Sequence, residues 1–410
     1  MASSAQSAIR DTVYGTPLAS LDVSDPKYFV DGTMHAYFER LRNEAPVHYC
    51  RDSAFGPYWS ITKFHDIMAV DTNHKGFSSE PAITLLDPPS EKLLPMFIAM
   101  DQPKHDEQRK AVSPIVAPAN LANLEGLIRQ RVIDIIEGLP VNETFNWVER
   151  VSIELTTQML ATLFNFPFED RRLLTHWSDV ATARPVTAEQ WEYRETELGK
   201  CLEYFVRLWN ERVNAPPTYD LVSMLAHAPA TRHMPPREYL GNLVLLIVGG
   251  NDTTRNSLTG GLYFLNQNPG EYDKLRANPG VIPNMVSEII RYQTPLAYMR
   301  RRALSDVVIR GQHIRAGDKV AMWYVSGNRD GEVIQDADRF WIDRPNVRQH
   351  LSFGFGIHRC VGNRLGEMQI RILWEELLKR YPKVDVVDEP TRVPSSFVNG
   401  YLSLPVRISR

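Results

Sequence analysis

Cys360 lies near the end of the run Phe353-Gly354-Phe355-Gly356-Ile357-His358-Arg359-Cys360-Val361-Gly362, and helically spaced Leu365, Met368, Ile370, Leu373 and Leu377 follow it. Glycines at this density let backbone amides approach a sulfur without Cβ interference. The positive N-terminal end of the following helix would favour thiolate over thiol. A thiolate so placed suits an iron ligand that pushes electron density onto an oxygen-activating metal. The plain alternative is a buried cysteine after a glycine-rich turn. A second reactive pair lies in Gly249-Gly250-Asn251-Asp252-Thr253-Thr254, at the end of the apolar run Leu243 to Val248. A helix apolar on every side must be buried, so this one is expected to cross the core. Two glycines and a threonine weaken it locally, and Thr253 can bond a carbonyl one turn back and help open the ladder. The gap would leave room for dioxygen, with Asp252 and Thr253 as an acid and a hydroxyl to relay protons. The alternative is a close helix-packing site beside an exposed acid.

The elements that must position these groups are mostly helical. Leu121, Leu124, Ile128, Val132 and Ile135 mark one helix in the middle of the chain. Val47–Cys50 and Tyr58–Ile61 read as strands joined by a turn containing Gly56-Pro57, and a second β region runs from Asp306 to Trp323. Asn399-Gly400 between apolar residues signals a last hairpin. The expected fold is mainly α with small β-sheets, one continuous domain over residues 1–410, with residues 1–20 as a flexible N-terminus.

Bulk composition excludes several classes. The 410 residues can bury a sizeable core, and 46 basic against 49 acidic residues give a net charge of −3, with no pull toward nucleic acid. Three scattered cysteines, Cys50, Cys201 and Cys360, form neither a disulfide framework nor a C-x-x-C metal site, which points to a reducing, cytoplasmic setting. The N-terminal residues lack the apolar core of a signal peptide. No run approaches the roughly 20 apolar residues that span a bilayer.

The cysteine run matches, position for position, the ligand loop of the haem-thiolate monooxygenases (cytochromes P-450). The chain resembles that family over nearly its whole length. It looks closest to the soluble bacterial group that hydroxylates the terminal carbon of alkanes and fatty acids. The segments carrying that likeness are Ala99–His105, Leu246–Asn256 and Met322–Asp330. The resemblance implies a haem between the long central helix and the cysteine loop, with Cys360 as the iron ligand and Phe353 at the cofactor. Asp252 and Thr253 match the family's acid–alcohol pair. His105, Arg109, Arg301 and His350 match its propionate contacts. One departure is that Ser113-Pro114-Ile115-Val116 follows Arg109 where the family often carries an aromatic. Glu288 and Arg291, three apart on one helix face, with Arg344 match a structural charged network.

The likeness further implies an apolar tunnel walled by Phe97, Val248, Gly249, Leu296, Met299 and Phe397, each of which could instead be plain core. Terminal C–H bonds are the stronger ones, so attack at a methyl end needs walls that present only that end. Electrons would come from NAD(P)H through a ferredoxin and its reductase, since the chain has no flavin or nicotinamide fingerprint. Lys104, Lys110, Arg359 and Arg364 are candidates for a basic docking patch. The competing readings are a hydroxylase of a terpenoid or steroid side chain, a peroxygenase, and a non-catalytic haem-binding sensor or carrier.

Overall fold

The computed structural model describes residues 2–409. Its organising element is the helix Pro236–Gln267, 32 residues long, opened by a proline in its first turn where no intrahelical donor is lost. The helices Arg172–Thr182, Glu154–Phe164, Ile282–Gln293 and Asn363–Arg380 all pack against it. Leu243, Ile247, Leu258, Leu262 and Leu265 of this helix are buried in the principal hydrophobic core. The helix Pro118–Glu137 forms as its spacing predicts, with Leu121, Ile128, Val132 and Ile135 buried.

The strands sit at one side. Val47–Cys50, Tyr58–Ile61, Lys319–Met322, Met299–Ala303 and Phe77–Ser78 make a five-stranded sheet in that spatial order. Every pairing in it is antiparallel except Tyr58–Ile61 with Lys319–Met322, which is parallel. Both opening strands have the expected bounds, and in the second β region Val307–Ile309 pairs with Gln312–Ile314. Two apolar clusters flank the sheet, one built around Phe38, Tyr298 and Trp323, the other around Phe64, Ile67 and Met322.

One expectation changes. Asn399-Gly400 does not turn a hairpin. Leu296 bridges to Val398, Ala297 N–H donates to Phe397 O (2.9 Å), and Tyr401–Ser403 pairs with Thr391–Arg392 instead. The reason is tertiary: Asn399 exchanges hydrogen bonds with Gln293 (2.6 and 2.7 Å), and Gly400 passes so close to Asn256 that a Cβ would fall 2.4 Å from its amide. The N-terminal segment forms the helix Ala2–Gly15, and Arg40 Nη1 donates to the carbonyls of Val13 (2.5 Å) and Thr16 (2.6 Å).

One close approach shapes the interior. At Gly241 of the central helix a Cβ would lie 1.9 Å from Pro95 O, so only glycine lets the segment before Phe97 touch the helix backbone. Next to it, Asn242 Oδ1 accepts from Phe97 N–H (2.9 Å). Among the described residues no helix is long and apolar enough to cross a membrane.

Candidate functional site

The cysteine loop is moulded onto the helix Phe64–Thr72. Gly354 and Gly356 take φ of +65° and +67°, and a Cβ on Gly356 would sit 2.9 Å from Asp71 O, so glycine is required there on both counts. Buried Asp71 ties the loop to the sheet. Its carboxylate accepts from Phe355 N–H (2.8 Å), Tyr324 Oη (2.9 Å) and Arg301 Nη2 (2.8 Å). Cys360 N–H donates to Phe353 O (2.8 Å), and the helix Asn363–Arg380 begins three residues later. Cys360 is exposed and lines a partly open cavity of about 780 Å³. Burial pushes the Cys360 thiol up, outweighing the Gly362 N–H and the Arg109 and Arg359 charges that pull it down.

Thr253, Phe353, Arg109 and Arg301 line the same cavity, as do all six wall candidates, Phe97, Val248, Gly249, Leu296, Met299 and Phe397. Val112, Ile115 and Val116 fill the stretch where the family often has an aromatic. Periodicity explains much of this. Leu245, Gly249 and Thr253 are four apart on one face of the central helix, while Met299 and Arg301 are two apart on one face of a strand. The two glycines differ in use: a Cβ on Gly250 would press on Leu160 Cδ2 at 2.7 Å, whereas Gly249 has nothing within 4 Å. Gly249 leaves the space, and Gly250 serves packing. Thr253 Oγ1 donates to Gly249 O (2.9 Å) as anticipated, yet the helix continues unbroken through this point.

Asp252 does not face the cavity. It is fully buried toward the helix Arg172–Thr182, where it accepts from Ser178 Oγ (3.3 Å), Asn251 Nδ2 (3.3 Å) and Arg255 Nη2 (2.5 Å). Arg255 reaches on to half-exposed Asp179 (3.0 Å). Burial raises the Asp252 carboxyl to about 6 against the pull of Arg255, and Asp179 pushes in the same direction as burial.

His350 also lies off the cavity. It is buried, its Nδ1 accepts from Ser352 N–H (3.3 Å), and burial holds it down at about 3. The histidine that does line the cavity is His358, two residues before Cys360, which sequence reasoning passed over although it stood inside the quoted motif. His358 Nε2 pairs with Ser79 Oγ (2.9 Å), its ring lies 4.1 Å from that of His105, and burial pushes it down to about 2. Both histidines keep one buried nitrogen without a partner, Nδ1 of His358 and Nε2 of His105. Arg109 Nη2 donates to Arg359 O (2.5 Å).

These residues fit a haem. Its two carboxylates need donors, and two guanidiniums and two orphaned imidazole nitrogens stand together beside a lone cysteine. Among the described residues no three His, Cys, Asp or Glu side chains gather to hold a bare ion. Of the docking candidates, Lys104 is engaged by Glu238 (2.7 Å).

The expected structural network is present. Glu288 receives Arg291 through two bonds of 2.7 and 2.8 Å and Arg344 Nε at 3.1 Å.

Comparison with known proteins agrees with this geometry. The family model described as Cytochrome P450 matches residues 123–406. The chain is 34% identical over 399 residues to a linalool 8-monooxygenase from Pseudomonas putida, covering 94% of this chain and 98% of the relative. It is 31% identical over 423 residues to a methyl-branched lipid omega-hydroxylase from Mycobacterium tuberculosis, covering 97% and 98%. Among solved structures, cytochrome P450-153 from Novosphingobium aromaticivorans shares 46% identity with a TM-score of 0.91, over 95% of this chain and 99% of that one.

Proposed function

The chain belongs to the cytochrome P450 family, and from that premise we propose that this monooxygenase hydroxylates the terminal carbon of medium- or long-chain n-alkanes or fatty acids. The observation that supports the reading most is the cavity lining: Phe97, Val248, Leu296, Met299 and Phe397 share one cavity with Cys360 and Thr253. Apolar walls from four separate segments favour a substrate that enters end-on and exposes one carbon to the reacting centre.

In this reading the Cys360 thiolate would ligate the iron of a haem, and Arg109, Arg301, His105 and His358 would hold its propionates. The haem, when bound, would supply dioxygen activation. The remaining work belongs to the chain. The walls exclude water and hold the methyl end. Thr253 stands on the cavity with its hydroxyl proton committed to Gly249 O, leaving its lone pairs free to accept a hydrogen bond from water. Asp252 holds a proton near neutrality behind it, and that proton reaches the cavity only when the pair with Arg255 opens and the carboxyl turns. Electrons come from a ferredoxin and its reductase.

The test is product analysis of the purified holoenzyme with a ferredoxin, its reductase and NADH on a series of linear alkanes and fatty acids. Primary alcohols or ω-hydroxy acids are expected as main products. Internal alcohols would overturn the terminal assignment and leave the family intact. The terpenoid reading keeps support from the linalool 8-monooxygenase relative, and linalool belongs in the same substrate series.

A further inference from the structure

The charges on the cavity wall do not balance. Asp179 is the one acid on the lining among the described residues, and Arg255 takes it at 3.0 Å. The cations are Lys92, Arg109, Arg184, Arg194, Arg255 and Arg301. Arg109 and Arg301 belong to the cysteine end, where two propionates would meet them. Lys92, Arg184 and Arg194 remain, and among the described residues none of the three forms an ion pair. Nearby Glu195 is engaged by Arg237 (3.2 Å), and Asp87 by Arg300 and Lys319.

These three cluster where segments distant from the cysteine loop converge. Arg184 lies in the connection between the helices Arg172–Thr182 and Ala188–Val213, stands 4.4 Å from the Phe55 ring centroid, and donates through Nη2 to Ala54 O (3.2 Å) in the turn between the first two strands. Its Nε is buried without a partner. Arg194 Nη2 donates to Ala181 O (3.1 Å), and its guanidinium lies 5.9 Å from the Trp191 ring centroid. Lys92 Nζ is 5.3 Å from the same ring. Burial disfavours the charged form of Arg194. Aromatic faces fix the guanidinium planes but neutralise nothing. Unpaired cations on an otherwise apolar wall call for an anion that arrives with the ligand.

We propose that Arg184 and Arg194, with Lys92 beside them, form a subsite for the carboxylate of a linear fatty acid whose methyl end lies toward Cys360. The inference rests on the terminal-hydroxylase reading and narrows it from alkanes and acids to acids. Anchoring one end of a flexible chain fixes how far the other end reaches, which gives the tunnel a reference point that an alkane lacks.

The test is calorimetric binding to the holoenzyme at pH 7.5 with dodecanoate and 1-dodecanol, equal in chain length and different in charge. Dodecanoate is expected to bind at least about tenfold more tightly, as one charge-assisted contact of this kind provides. The double variant Arg184→Gln/Arg194→Gln should lose that advantage and keep its affinity for the alcohol. The double variant Arg184→Lys/Arg194→Lys should retain part of the preference. Equal loss for both ligands, or dodecanoate binding indifferent to the arginines, overturns the subsite. The readout is separate from the products: internal hydroxylation with arginine-dependent acid binding would sink the terminal reading alone. Primary products with arginine-independent binding would sink the subsite alone.

Discussion

Two helices of this protein carry the same local device, an acid with an arginine three residues later, and use it in opposite ways. Glu288 and Arg291 are both fully buried, paired through two bonds, and backed by Arg344. Arg291 spends its remaining donors on the carbonyls of Asn328, Ala337 and Arg339 (2.7–3.1 Å). Asp252 and Arg255 pair at 2.5 Å, but Arg255 Nε has no partner and its other arm leads to half-exposed Asp179. The first network is complete and has no route to solvent. The second is short of bonds, titrates near neutrality and touches water at one end. Satisfaction of the remaining donors, more than the acid–arginine spacing, separates a clamp from a proton reservoir.

The contrast breaks most visibly at Glu288. Glu288→Gln leaves two guanidiniums facing a neutral amide and should cost about 3–5 kcal/mol, read as a lower urea midpoint of the holoenzyme. A midpoint within about 1 kcal/mol of the parent would deny the clamp. Asp252→Asn should lower that midpoint by less, since Asp179 still pairs with Arg255, while product formation falls about 100-fold, because an amide gives up no relay proton. Arg255→Gln sharpens the reservoir. Arg255 holds the Asp252 carboxyl down, so its loss raises that carboxyl above about 6, and the alkaline limb of turnover should move to higher pH by about one unit. Asp179→Asn should shift the same limb the other way and by less, since Asp179 raises Asp252 from a half-exposed position where solvent screens it. Limbs that move together in a pH–rate series would remove Asp252 from the proton path.

Much of this was legible from local pattern. The cysteine loop, the central helix and both opening strands follow from residue spacing and glycine placement, which are properties of a few neighbouring residues. The misses have a common cause. Adjacent residues on a helix diverge by about 100°, so Asp252 need not follow Thr253 to the cavity, and nothing local says which face the helix Arg172–Thr182 will cover. His350 and His358 are alike in sequence terms, and only the path of the loop decides which reaches the cavity. The Asn399-Gly400 signal was overridden by Gln293 and Asn256, more than a hundred residues away in the chain.

The missing Cβ of Gly241 has a consequence for what the protein can tolerate as substrate. Backbone contact with Pro95 and the bond from Phe97 N–H to Asn242 fasten one tunnel wall to the helix that carries Val248 and Thr253. Those two sides move as one piece. A change in width on this side of the cavity would have to move both together, so any widening must come from the walls that carry Leu296, Met299 and Phe397.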